Sequence, residues 1–247
     1  MVAAGGGERR PGCRTRPGRA GRAAARRARR GPGRPRHRAA DRAGALAAVP
    51  AAARRRGRDG PGPGRAGEAA GLPRLRLAAA EARDVARRLG ATPLIDAAAT
   101  PSAVRAALPG ATHAHFACHA VTDATDPGRG RLEVHAGSLR VPDLAALGVP
   151  RGELAYLSAC ATAFGGTVLL DESIHVASGL QLAGFRHVVG TLWPVSDDAA
   201  PDIAAAFYAA VDAGADPASA LHGVALDLRR RHPAAIALWA SHVHFGP

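Results

Sequence analysis

Among the reactive side chains of this 247-residue sequence, His119 and Cys160 stand out by position, since each closes a short apolar run of strand length. His119 ends the segment His115-Phe116-Ala117-Cys118-His119, and Cys160 ends Leu157-Ser158-Ala159-Cys160. A free thiol, with a pKa of about 8.5, is a weak nucleophile at neutral pH; an adjacent imidazole shifts it toward the thiolate. The same imidazole can protonate a leaving amine, and backbone N–H groups at Ala120 and Cys160 can hold an oxyanion. That is the equipment of covalent acyl transfer. A third apolar run leads into Ser196-Asp197-Asp198. The carboxylates of Asp197 and Asp198 would favour a basic side chain in a substrate pocket, although helix capping accounts for them equally well.

Each of these residues also has a plainer reading. Cysteine often serves as a small buried hydrophobe, and Cys118 reads that way. His113 and His115 share a strand face by the two-residue period, and more readily pack or pair than act. Together with Cys118 and His119 they would make a histidine-rich metal cluster. Yet alternation sends Cys118 and His119 to opposite sides, and no second Cys/His group has a matching spacing. The sequence therefore predicts no metal and no cofactor.

Elements must bring these groups together. Ala78, Ala82, Val85 and Leu89 recur at helical spacing before Gly90, where a helix would stop. A short strand is expected over Thr92–Ile95, and Thr100-Pro101 opens a second helix. Strands are expected over Thr112–Cys118, Leu154–Ala159 and Arg186–Trp193. Helices are expected over Asp143–Leu147 and over Asp171–Phe185, the latter apolar on most sides. Ile203, Phe207 and Val211 stripe a further helix that Ser196, Asp197 or Asp198 would cap, and Asp216-Pro217 opens the last long one. Strands alternating with helices predict an α/β fold, a three-layer sandwich on a mainly parallel sheet. Sites in such sheets form at the carboxyl ends of strands, and neighbouring strands lie about 4.8 Å apart. If the strands ending at His119 and Cys160 are neighbours, imidazole and thiol would meet.

Charge is divided unevenly. All 33 basic residues are arginines and the formal net charge is +13. Residues 1–65 hold 19 arginines against Glu8, Asp41 and Asp59, whereas residues 66–247 hold 14 against 17 acids. Residues 1–71 are rich in Arg, Gly, Pro and Ala, with too little apolar surface to offset chain entropy. They read as a low-complexity tail, either disordered, or a phosphate-binding arm, or a mis-started reading frame. Nucleic acid would be reached through that tail alone, which has no aromatic residue to stack on bases. Three cysteines (Cys13, Cys118 and Cys160) make no disulfide framework. With no apolar run of the roughly 20 residues a span needs and no signal-peptide pattern, the expectation is a cytoplasmic chain without membrane contact.

The ordered blocks His115-Phe116-Ala117-Cys118-His119, Leu157-Ser158-Ala159-Cys160-Ala161-Thr162 and Gly190-Thr191-Leu192-Trp193-Pro194-Val195-Ser196-Asp197-Asp198 resemble the successive signatures of CHAT domains. Gln181-Leu182-Ala183-Gly184-Phe185, Phe207-Tyr208, Ala220-Leu221, Trp239 and His242-Val243-His244 are similar to other landmarks of that family. The resemblance covers residues 72–247 and implies a caspase-like cysteine peptidase, with His119 and Cys160 as the dyad. It also implies a protein or peptide substrate, and a separate activator protein, since no sensor domain is fused here. Two positions depart from the pattern: Ala120 stands where glycine is common, and Ala161 where glutamate is frequent. CHAT domains usually begin with one more strand, in the region that here is the tail, so the sheet is expected to lack an edge. These departures keep an alternative open, a catalytically weak or inactive module acting through interactions.

Overall fold

The computed structural model describes residues 72, 74–121, 129–158 and 170–247, with backbone alone at 170–175. Along the chain run α1 (Ala78–Leu89), α2 (Pro101–Ala107), β1 (His113–Ala117), β2 (Ala120–Val121), β3 (Arg131–Val134), β4 (Gly137–Arg140), α3 (Val141–Ala145), β5 (Leu154–Ser158), α4 (Leu170–Ala183), β6 (His187–Thr191), α5 (Ala200–Asp212), α6 (Pro217–Arg231), α7 (Ile236–Trp239) and β7 (His242–Phe245). The central sheet has the order β1-β5-β6-β7. β1, β5 and β6 are parallel, and β7 closes the edge antiparallel to β6. A second, antiparallel sheet of β2, β3 and β4 leaves the carboxyl end of β1 and returns the chain through α3.

Alternation along the strands divides the apolar residues between two cores. Ala114 and Phe116 of β1, Ala155 and Leu157 of β5, and Val188 of β6 pack with Leu132, Leu139 and Leu144, and with Val176, Ala177 and Leu180 of α4. The opposite face carries Leu154, Tyr156 and Val189 against Ala82, Val85 and Leu89 of α1, Ile203, Phe207 and Tyr208 of α5, and Leu221, Val224 and Leu228 of α6. This is the mixed α/β architecture with a mainly parallel sheet between helices that the residue pattern predicts.

Several local expectations change. Thr92–Ile95 forms no strand beyond a single bridge at Pro93; proline lacks the N–H a ladder requires, and the chain turns at once into a 3-10 turn at Asp96–Ala98. None of Ser196, Asp197 and Asp198 caps α5, whose N-cap is Ala199 without a side-chain bond. In α4, Leu182 lies 74% exposed, so that helix is not covered all round. α2 and α6 begin as expected, with Thr100 Oγ1 accepting from Ala103 N–H and Asp216 from Ser219 N–H.

Tight passage explains Gly184. Its φ is +122°, and a Cβ there would run into the Val149 carbonyl, where the end of α4 meets the loop before β5.

Candidate active site

The carboxyl ends of β1, β5 and β6 form one rim of the sheet. β1 and β5 pair in parallel with Ala117 opposite Ser158. The two strands therefore end in phase, and two residues past each end come His119 and Cys160. Cys160 lies outside the described residues, as do Cys13 and Ala161.

His119 is fully buried. Its carbonyl accepts a 2.8 Å hydrogen bond from the Glu133 N–H, which fixes the turn between β1 and β2. That bond also decides the direction of the next amide. With Ala120 opposite Leu132, a bond from Glu133 N–H to His119 O makes the Ala120–Leu132 pair the non-hydrogen-bonded kind. The Ala120 N–H is thereby turned away from β3. Cys118 is buried in the core beneath α4, as a small apolar residue.

Ser158 and Thr191, at the ends of β5 and β6, are fully buried, and their hydroxyls have no hydrogen-bond partner among the described residues. Polar groups do not remain so at no cost. Both residues fall on the α1/α5 face by alternation, one position beyond a connected polar group in the same layer. In that group, His115 Nε2 lies 3.0 Å from Glu81 Oε1, and its Nδ1 lies 3.4 Å from the Tyr208 hydroxyl. The His115 ring stacks on Tyr156 at 5.2 Å between centroids, and Tyr156 in turn faces His242 at 5.8 Å. Burial, reinforced by the Glu81 and Asp212 carboxylates, drives the Tyr208 hydroxyl far above its ordinary range. It stays protonated, and the Tyr208 hydroxyl and the Glu81 carboxylate bracket the two ring nitrogens of His115. Burial pushes His242 down to about 4, with Glu81 opposing. Ser241 Oγ lies 2.7 Å from both His242 Nδ1 and the Leu238 carbonyl.

Asp197 and Asp198 meet the start of α1. Asp197 Oδ2 accepts from the Arg76 N–H at 2.7 Å and from the Leu77 N–H at 3.2 Å. Asp198 pairs with the Arg76 guanidinium at 3.1 Å. Leu75, just upstream, packs with Ala78 against Ala117 at the end of β1. A carboxylate from the β6 loop thus terminates α1 in place of a local cap.

A family model described as the CHAT domain matches residues 17–247. The chain belongs to the CHAT domain family. The match reaches upstream of Leu72, where the signature blocks begin to be legible. CHAT domains are a caspase-like, protease-related family, and the sandwich described above agrees with that relationship. No curated protein matches the chain. No helix among the described residues is long and apolar enough to cross a membrane.

Sequence reasoning overlooked Glu81, the CHAT domain's link between α1 and β1. A signal was present: an acid interrupts the Ala78/Ala82/Val85/Leu89 stripe, and a buried carboxylate needs a partner. His115 was expected to pack or pair, and it does both.

Proposed function

We propose that this CHAT domain is a cysteine endopeptidase that cleaves intracellular proteins through an acyl-enzyme on Cys160. His119 draws the thiol proton, the thiolate attacks the scissile carbonyl, and the imidazolium returns the proton to the leaving amine; water then releases the acyl group. The observation that carries this reading is the register of β1 on β5, whose ends at Ala117 and Ser158 stand opposite each other, two residues before His119 and Cys160. The Ala120 amide, turned away from β3, supports its role as an oxyanion donor beside the Cys160 N–H. Asp197 already accepts from two amides of the segment leading into α1, so Asp198, solvent-exposed in its pair with Arg76, is the carboxylate for which a basic substrate side chain would compete. An electrophilic peptide probe should label Cys160 faster than Cys13 or Cys118, and His119→Ala should slow that labelling at least tenfold. Equal labelling of all three cysteines, or no effect of His119→Ala, would remove the dyad.

The complete burial of His119 favours a second reading, a module that keeps the fold without turnover and acts on a protein partner. Cys160→Ala with full biological effect would establish that reading and exclude the first.

A further inference from the structure

We propose that His187 and His244 form a binding site for a divalent late first-row transition-metal ion, with copper, nickel and zinc as the ions it would take. The two histidines are 57 residues apart in sequence, and the β6–β7 ladder brings them together. Val189 stands opposite His244 in that ladder, so His187, two residues before Val189, shares its face and lies diagonal to His244. Diagonal side chains are within each other's reach. His187 Nδ1 and His244 Nε2 lie 3.0 Å apart, and their ring centroids are separated by 5.2 Å.

That spacing fits a chelate. With metal–nitrogen bonds of about 2.0–2.1 Å, two imidazoles in neighbouring positions hold their nitrogens roughly 3.0 Å apart at a right angle and roughly 3.4 Å apart in a tetrahedron. The nitrogens need to separate by a few tenths of an ångström at most, and the rings must turn so that the two nitrogens, which face each other in the hydrogen bond, converge on one ion. Metal ligation requires both nitrogens unprotonated, and burial lowers the pKa of each ring. His187 feels Arg186 as a further lowering influence and Glu153 and Asp216 as opposing ones; His244 feels His187 and, in the opposite sense, Asp216. Arg186 is itself drawn to Glu153 at 3.7 Å. Both rings are half-buried, so water and ions reach them.

Space beside His187 Nδ1 is kept by Gly246, where a Cβ would stand 2.9 Å from that nitrogen. The same Cβ would run into the Arg186 carbonyl, and φ is +146°, so backbone packing alone already calls for glycine at this position, which also leaves Nδ1 uncrowded. No third His, Cys, Asp or Glu joins the pair among the described residues, so water supplies the remaining ligands and the affinity is that of a two-imidazole site. Imidazole ligands and the general affinity order place copper first among the three ions.

Titration of the full chain with copper(II) should reveal one site whose low-temperature EPR spectrum shows coupling to two nitrogens. His187→Gln and His244→Gln should each weaken that site by at least the ~10–100-fold that changes to a ligand's supporting partners cost. His232→Gln, at an exposed histidine, should leave it unchanged. Equal copper binding by all four proteins, or coupling to one nitrogen only, would overturn the proposal and leave the pair as an N–H···N hydrogen bond. If the variants do not fold, zinc titration of the unaltered protein followed by imidazole 15N shifts decides: Nδ1 of His187 and Nε2 of His244 must move first, and first movement at any other histidine sinks the site.

Discussion

At the residue scale, the most demanding contact is between Glu81 and His115. Both are buried, at 3% and 0% side-chain exposure, and each satisfies the other across two elements. Removing one partner strands the second in the core, a loss of roughly 3–5 kcal/mol. His115→Ala should therefore lower the urea unfolding free energy by about that amount. Glu81→Gln, which keeps an acceptor for the imidazole N–H, should cost clearly less. Similar losses in the two variants would mean that the pair depends on the carboxylate charge of Glu81, and not merely on an acceptor facing the imidazole N–H. The sequence shows the reactive residues well, because His119 and Cys160 sit at the ends of unmistakable apolar runs. It hides their supports. Glu81 and His115 are separated by 34 residues, Asp197 and Leu77 by 120, and no local period links such pairs.

At the element scale, α1 illustrates how a helix start is completed from a distance. Leu77 at its N-cap has no side chain to bond the first amides, and Asp197 accepts instead from the N–H groups of Arg76 and of Leu77 itself, setting a negative charge at the helix start. Asp197→Ala should destabilise by about 1–2 kcal/mol, the usual effect of losing a cap with a favourable charge at a helix start. Asp198→Ala is the matched control. Its pair with Arg76 is exposed on both sides, at 71% and 73%, so its loss should register within about 0.5 kcal/mol of zero. Comparable effects from both substitutions would refute the cap. Gly184→Ala should cost more than either, because φ of +122° and the Val149 carbonyl oppose a side chain together. The long elements α1, α5 and α6 and the parallel strands β1, β5 and β6 follow from apolar spacing alone. The sheet of β2, β3 and β4 does not, since strands of two to four residues carry too few alternations to register. β7 escapes for a related reason: its pattern His242-Val243-His244-Phe245 is half-buried throughout, and only pairing with β6 defines it as a strand.

At the scale of the whole molecule, buried histidines set a pH dependence. The fold holds His242 at about 4 against 6.5 in an open chain, and His187 and His244 are shifted in the same direction. A depressed pKa means that the unfolded chain binds the proton more readily. Stability is thus complete above about pH 6.5 and is lost as the pH falls toward and through 4, with roughly 3 kcal/mol at stake for His242. Urea midpoints measured from pH 7 to pH 4 should fall, and His242→Gln should flatten the decline. An equally steep decline in that variant would assign it to other groups.

The distant anchoring of α1 also bears on the order of events in folding. Besides Asp197, the helix is held by His115 through Glu81 and by Asp212 through Arg88, at 2.8 Å. All these partners lie well beyond any local loop, and contacts between remote segments form late because the entropy of closing long loops is lost first. α1 should therefore dock after the rate-limiting barrier is crossed. Stopped-flow kinetics of Asp197→Ala should then show faster unfolding at nearly unchanged folding speed, so that the first motion of the native molecule toward the denatured state is the departure of this one helix.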